Sequence, residues 1–273
     1  MRSAARLALL LGFGSTAGCS LIFGIRAEDY TDGAHEGGIP PGQDAHGNDG
    51  PDARADASAD ASADAAHSPC LDAPAHLFCD DFDQTGTLED RGWGRLLSNT
   101  GQVDVDAVDA RSAPRSVWTQ ITAKAFAAIA RDFNSVDPSG DLHLGFDMHV
   151  ERFVGAGAVA VLSVSTYLFR LLIASDGKYA ADEYNTVNNA QVGHTVGAKI
   201  GNLWVNVQMS MHFVKNRGAG SRMKITMDGN VVMDTAIAPT VDTGAPGVSL
   251  GVLDQPEASI RMRFDNVTFD RNP

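Results

Sequence analysis

The chain predicts an all-β protein, an antiparallel β-sandwich of about a dozen strands within residues 70–273. Two observations carry this. Short segments rich in Val, Phe and Thr alternate apolar and polar residues with period two, and Gly, Asp, Asn and Pro break them. No long segment repeats its apolar residues at helical spacing, and no heptad run or solenoid period occurs.

In residues 142–151, Leu142, Leu144, Phe146, Met148 and Val150 form one face of a strand and His143, Gly145, Asp147, His149 and Glu151 the other. Gly155-Ala156-Gly157 reads as a turn. A second long strand places Leu203, Val205, Val207, Met209, Met211 and Phe213 on the core side, with Trp204, Asn206, Gln208, Ser210 and His212 opposite. In Met227-Asp228-Gly229-Asn230-Val231, Asp-Gly suits a tight hairpin turn with positive φ. The last strand is expected over residues 260–269.

The N-terminal part is of another kind. Residues 1–19 have the build of an export signal, with Arg2 and Arg6 before an apolar stretch at 7–13 and small residues before Cys19. Ala17-Gly18-Cys19 resembles the bacterial lipobox, which implies a lipid on Cys19 and a membrane anchor as partner. Ser20 in the next position implies passage to the outer membrane of a Gram-negative envelope. Thr16 stands where the lipobox usually has Leu, so an ordinary secretory signal is the second reading. Residues 20–69 hold ten Asp or Glu against two Arg and end in the near-repeat at 56–64, the composition of a disordered, solvated tether. The remaining cysteines, Cys70 and Cys79, are an even number in an oxidising setting and are expected to pair.

A net charge of −13 argues against nucleic acid as a partner, which needs clustered Lys and Arg. The longest apolar run falls short of a bilayer span. There is no nucleophile elbow, phosphate loop or dinucleotide fingerprint, and the eight histidines show no zinc-ligand spacing.

Leu77-Phe78-Cys79-Asp80-Asp81-Phe82-Asp83 with Gly92-Trp93, the Met227-Asp228-Gly229 hairpin and the closing Met262-Arg263-Phe264-Asp265-Asn266-Val267-Thr268-Phe269 resemble the concanavalin A-like lectin and glucanase superfamily. The resemblance covers about residues 76–270 and implies a jelly-roll sandwich whose first and last strands lie side by side. It also implies a groove that holds saccharide on one sheet. Laminarinase-like members carry Glu-x-Asp-x-Glu on one strand, and Asp147-Met148-His149-Val150-Glu151 is the nearest match here. Two of its three positions depart from the pattern, so the expectation is a non-catalytic binding face rather than a glycosidase. Asp147, His149, Glu151, Trp204, Asn206 and Gln208 are the candidate ligand-binding residues, provided that the two strands share a sheet. The resemblance further implies a structural calcium ion held in part by Asp265, against the simpler role of a hydrogen bond to a loop. The leading expectation is a lipid-anchored, polysaccharide-binding module. A structural envelope protein with no glycan ligand and a diverged glycoside hydrolase are the alternatives.

Overall fold

The computed structural model describes Cys70 and residues 76–272 apart from 99, 123, 134–139, 215–219, 240–243 and 254–257. The export signal with Cys19, and the tether at 20–69, lie outside the described residues. In chain order the strands are β1 (Phe78–Asp80), β2 (Gly94–Leu97), β3 (Gln102–Asp106), β4 (Ser116–Thr122), β5 (Ala127–Asp132), β6 (Gly140–Val154), β7 (Gly157–Val164) and β8 (Tyr167–Ile173). There follow β9 (Lys178–Asn185), β10 (Ala190–Lys199), β11 (Val205–Phe213), β12 (Arg222–Met227), β13 (Asn230–Ala236), β14 (Pro246–Val252) and β15 (Ser259–Asn272).

They form two antiparallel sheets. One has the order β13-β12-β11-β6-β15-β4-β3, with β1 added on β15, and the other the order β10-β9-β8-β7-β14-β5-β2. First and last strands are neighbours, Phe78 facing Phe269 and Asp80 facing Val267. β6 and β11, the two long alternating strands, pair directly, with Asn206 opposite Asp147 and Gln208 opposite Gly145.

The core lies between the sheets. Leu142, Leu144, Phe146 and Met148 from β6, Val207, Met209 and Met211 from β11, and Phe264, Val267 and Phe269 from β15 meet Phe169, Leu171, Val248 and Leu250 from the other sheet. Trp93 is buried beside Phe78 and Phe82, and its indole N–H donates to Asp80 Oδ2 at 2.8 Å. Cys70 and Cys79 are joined, which ties the chain ahead of β1 to the strand that lies against β15.

Asp228 (φ 48°) and Gly229 (φ 75°) make the hairpin turn between β12 and β13, the backbone for which Asp-Gly is suited. One core expectation is corrected. β11 begins at Val205, so Leu203 lies in the preceding loop and is 81% exposed instead of continuing the core face. Trp204 precedes the strand for the same reason.

Candidate functional site

Alternation sends every second residue of β6 outward, and its neighbours β11 and β15 add their own outward residues on either side. Asp147 sits at the centre and is 6% exposed. Its Oδ1 accepts from Asn206 Nδ2 at 2.9 Å and its Oδ2 from Asn266 Nδ2 at 2.8 Å. Gln208 Nε2 donates to Asn206 Oδ1 at 3.2 Å, so three amides and one carboxylate are hydrogen-bonded in series.

Asn266 reaches this place through an irregularity. The register of β15 on β6 shifts between Asp265 and Thr268, and Asn266 has φ 52°. Before the bulge the core residues are Ile260, Met262 and Phe264; after it they are Val267 and Phe269, which turns Thr268 and Asp270 outward. Gly145 completes the floor. A Cβ there would stand 2.6 Å from Thr268 Oγ1 and 2.7 Å from Gln208 Oε1, so the absent side chain lets both groups close over the strand.

The result is an open recess of about 340 Å³ lined by His76, His143, Asp147, Asn206, Gln208, Asn266, Thr268 and Asp270. At one end His76 pairs with Asp270 at 2.6 Å, and His143 Nδ1 lies 2.9 Å from Ser210 Oγ. Outside the recess, Trp204 and Asp109 meet at His149 of β6. The Trp204 indole N–H donates to Asp109 Oδ1 at 3.0 Å, while His149 Nδ1 lies 2.7 Å from Asp109 Oδ2 and its ring 5.6 Å from Trp204. Burial pulls the Asp109 carboxyl upward, but the bonds from Trp204 and His149 outweigh it and hold the group below the usual carboxylate range.

Farther along β6, Glu151 is held by Arg263 and, at 2.6 Å, by Arg261. Arg263 is itself fully buried and bound to Asp106 at 2.5 Å, and Arg261 lies 4.8 Å from the Trp118 ring. Five of the six candidate residues therefore share one sheet and Trp204 adjoins it at the start of β11, but they do not play one part. Asp147, Asn206 and Gln208 line the recess; His149 and Trp204 form a separate cluster with Asp109; Glu151 belongs to a neighbouring ion-pair network. Reading along single strands placed His143 outward without making it a candidate, and missed Asn266, Thr268, Asp270 and His76.

Asp265 is fully buried. Its Oδ1 accepts from the Asn266 N–H at 2.8 Å and its Oδ2 from the Ser112 N–H at 2.8 Å. Ser112 Oγ stands 3.1 Å from Asp265 Oδ2 and 2.8 Å from Asn266 Oδ1. Burial pushes the carboxyl up to about 7 against these bonds. Calcium wants a shell of six to eight oxygens. Asp265 is instead met by N–H donors, and among the described residues no group of three or more His, Cys, Asp or Glu is placed to hold a metal ion. The bonds from Ser112 give Asp265 the role of an anchor for that loop.

No protein-family model matches the chain, and no curated protein does. Solved structures do resemble it. An endo-β-1,4-glucuronan lyase from the fungus Trichoderma reesei superposes with a TM-score of 0.56 at 14% identity, over 72% of this chain and 96% of that one. Cellulose induced protein, Cip1, gives 0.51 at 11% identity, over 71% and 97%. The alginate lyase Aly36B, solved with an alginate trisaccharide, gives 0.44 at 13% identity, over 58% and 82%. At such identities the likeness is one of fold. The chain is an all-β, two-sheet antiparallel sandwich of the concanavalin A-like jelly-roll type.

Proposed function

We propose that the recess on the eight-stranded sheet holds a polysaccharide without cleaving it, and that a lipid on Cys19 and the tether at 20–69 display this module on the envelope. The observation that supports binding is the amide-carboxylate series Gln208-Asn206-Asp147-Asn266 at the bottom of an open recess. Its members offer both donors and acceptors, and a sugar hydroxyl needs both. The same side chains favour a non-catalytic reading. A retaining glycosidase needs two carboxylates about 5–5.5 Å apart and free to reach the scissile bond. Here Asp147 is engaged by two amides and Glu151 by two guanidiniums. A shallow site of this kind binds weakly, and many tethered copies on one surface compensate.

The test is retention of the mature chain on immobilised laminarin, lichenan, xylan and agarose, with reducing ends followed in the same samples. Retention without turnover, lost in the double variant Asn206→Ala/Gln208→Ala, supports the proposal. Turnover that disappears in Glu151→Gln would establish the glycosidase instead. No retention on any polymer would overturn binding and leave a structural envelope protein.

A further inference from the structure

We infer that the recess selects neutral, hydroxyl-bearing polysaccharide and rejects polyuronate, although a structure that shares its fold is named as a glucuronan lyase. This rests on the binding function proposed above and adds the substrate class. Among the described residues the lining holds two carboxylates, Asp147 and Asp270, and neither Lys nor Arg. On the outward side of the same sheet Arg261 and Arg263 are committed to Glu151, Arg263 to Asp106 as well, and Arg222 to Asp234, while the exposed Lys224 stands on β12 opposite Ser210, outside the lining.

A polyuronate brings one carboxylate per sugar. Seated in the recess, it would lie beside Asp147, which is 6% exposed and thus poorly screened by water. A uronate oxygen is also an acceptor only. It could use the second N–H of Asn206 or Asn266, but it offers no hydrogen to Gln208 Oε1 or to the remaining lone pairs of Asp147. A neutral sugar ring supplies hydroxyls that donate and accept, and it adds no charge. Gly145 matters to this preference because it lets Gln208 Oε1 and Thr268 Oγ1 stand over the floor where such hydroxyls would sit.

The experiment is affinity electrophoresis of the mature chain through gels containing lichenan, xylan, alginate or polyglucuronate, at low and at physiological ionic strength. The neutral polymers should retard it at least about tenfold more strongly than the polyuronates at low salt, and added salt should narrow the gap by screening. Asp147→Asn removes the charge at nearly constant shape and should raise retention on polyuronate. Because it also disturbs two amide bonds, the exposed Gln208→Lys serves as a second variant whose fold is safer, with the same expected direction. Equal or stronger retardation of the unaltered chain by polyuronate would overturn the substrate class while leaving the binding function standing. Retardation by none of the four would overturn both.

Discussion

On the outer side of the eight-stranded sheet, β6 presents His143, Asp147, His149 and Glu151, each tied to a polar neighbour on another element. On the outer side of the seven-stranded sheet, the matching positions are Ala128, Ala158, Val161, Leu168 and Leu172, which with Tyr184 and Leu253 form a second, smaller apolar cluster. Every residue of β8 and of β14 is buried. The contrast shows that a shared sandwich does not make its two faces equivalent. The seven-stranded sheet is largely apolar on its outer side too, with its buried charges paired as Arg170–Asp182, while the other spends its outward side on hydrogen-bonding groups. Substitutions on the two faces should therefore fail in different ways.

The largest effect is expected at Arg170, the charged residue in the middle of β8. It is 2% exposed, donates to Asp182 through Nε at 2.7 Å and Nη2 at 2.5 Å, and lies 4.8 Å from the Tyr184 ring. Arg170→Ala strands a buried carboxylate and should cost about 3–5 kcal/mol in urea unfolding, whereas Arg170→Leu with Asp182→Leu should recover most of that loss. The folded double variant should still be retained on glycan. Loss of retention there would move the site to the seven-stranded sheet and break the comparison. The complementary change, Asn206→Ala, should abolish retention for a stability cost of about 1–2 kcal/mol.

Next in size is the Cys70–Cys79 link, which closes a short loop onto β1. Replacing both cysteines with Ser should lower stability by about 2–3 kcal/mol on the chain-entropy account. Thermal unfolding with and without reductant checks it: the unaltered chain should shift and the double variant should not.

How far the sequence could reach follows from these same residues. The alternation in β6 and β11 is strict, so their outward residues, and with them Asp147, Asn206 and Gln208, were legible. Their pairing was not, because period two fixes which face a residue takes and not which strand lies alongside. Asn266, Thr268 and Asp270 were hidden by the bulge. A trace of it is present, since the apolar phase changes from even positions at Ile260, Met262 and Phe264 to odd ones at Val267 and Phe269. Asp109 and Ser112 had no such trace. They come from the loop between β3 and β4, and only the fold carries that loop to Trp204 and Asp265.

Asp265 allows the contrast to be sharpened by pH. Its carboxyl is raised from 3.8 to about 7 in the folded protein, chiefly by burial. The unfolded chain therefore releases this proton first as pH rises. The contribution of Asp265 is fully present below about pH 4 and is lost on the way through pH 7, at up to about 1.4 kcal/mol per pH unit. The urea midpoint of the unaltered chain should fall from pH 5 to pH 8 by more than that of Asp265→Asn. Equal slopes would mean that the donors around the carboxyl outweigh its burial.

The smallest effect expected is that of calcium. In its protonated form Asp265 can donate from Oδ2 to Ser112 Oγ, 3.1 Å away, which frees the single Ser112 proton for Asn266 Oδ1 at 2.8 Å. The Asn266 amide then donates to Asp147 Oδ2, so one series of hydrogen bonds links the buried acid to the floor of the recess. A cation at Asp265 would have to displace the Ser112 and Asn266 N–H groups and would gain no second carboxylate from that series. Chelator and added millimolar calcium should each leave the melting temperature within about 1 °C, because a ligand that binds the native state weakly adds little by mass action. A rise with calcium, absent in Asp265→Asn, would assign the residue to a metal and would detach it from the hydrogen bonds that shape the binding face.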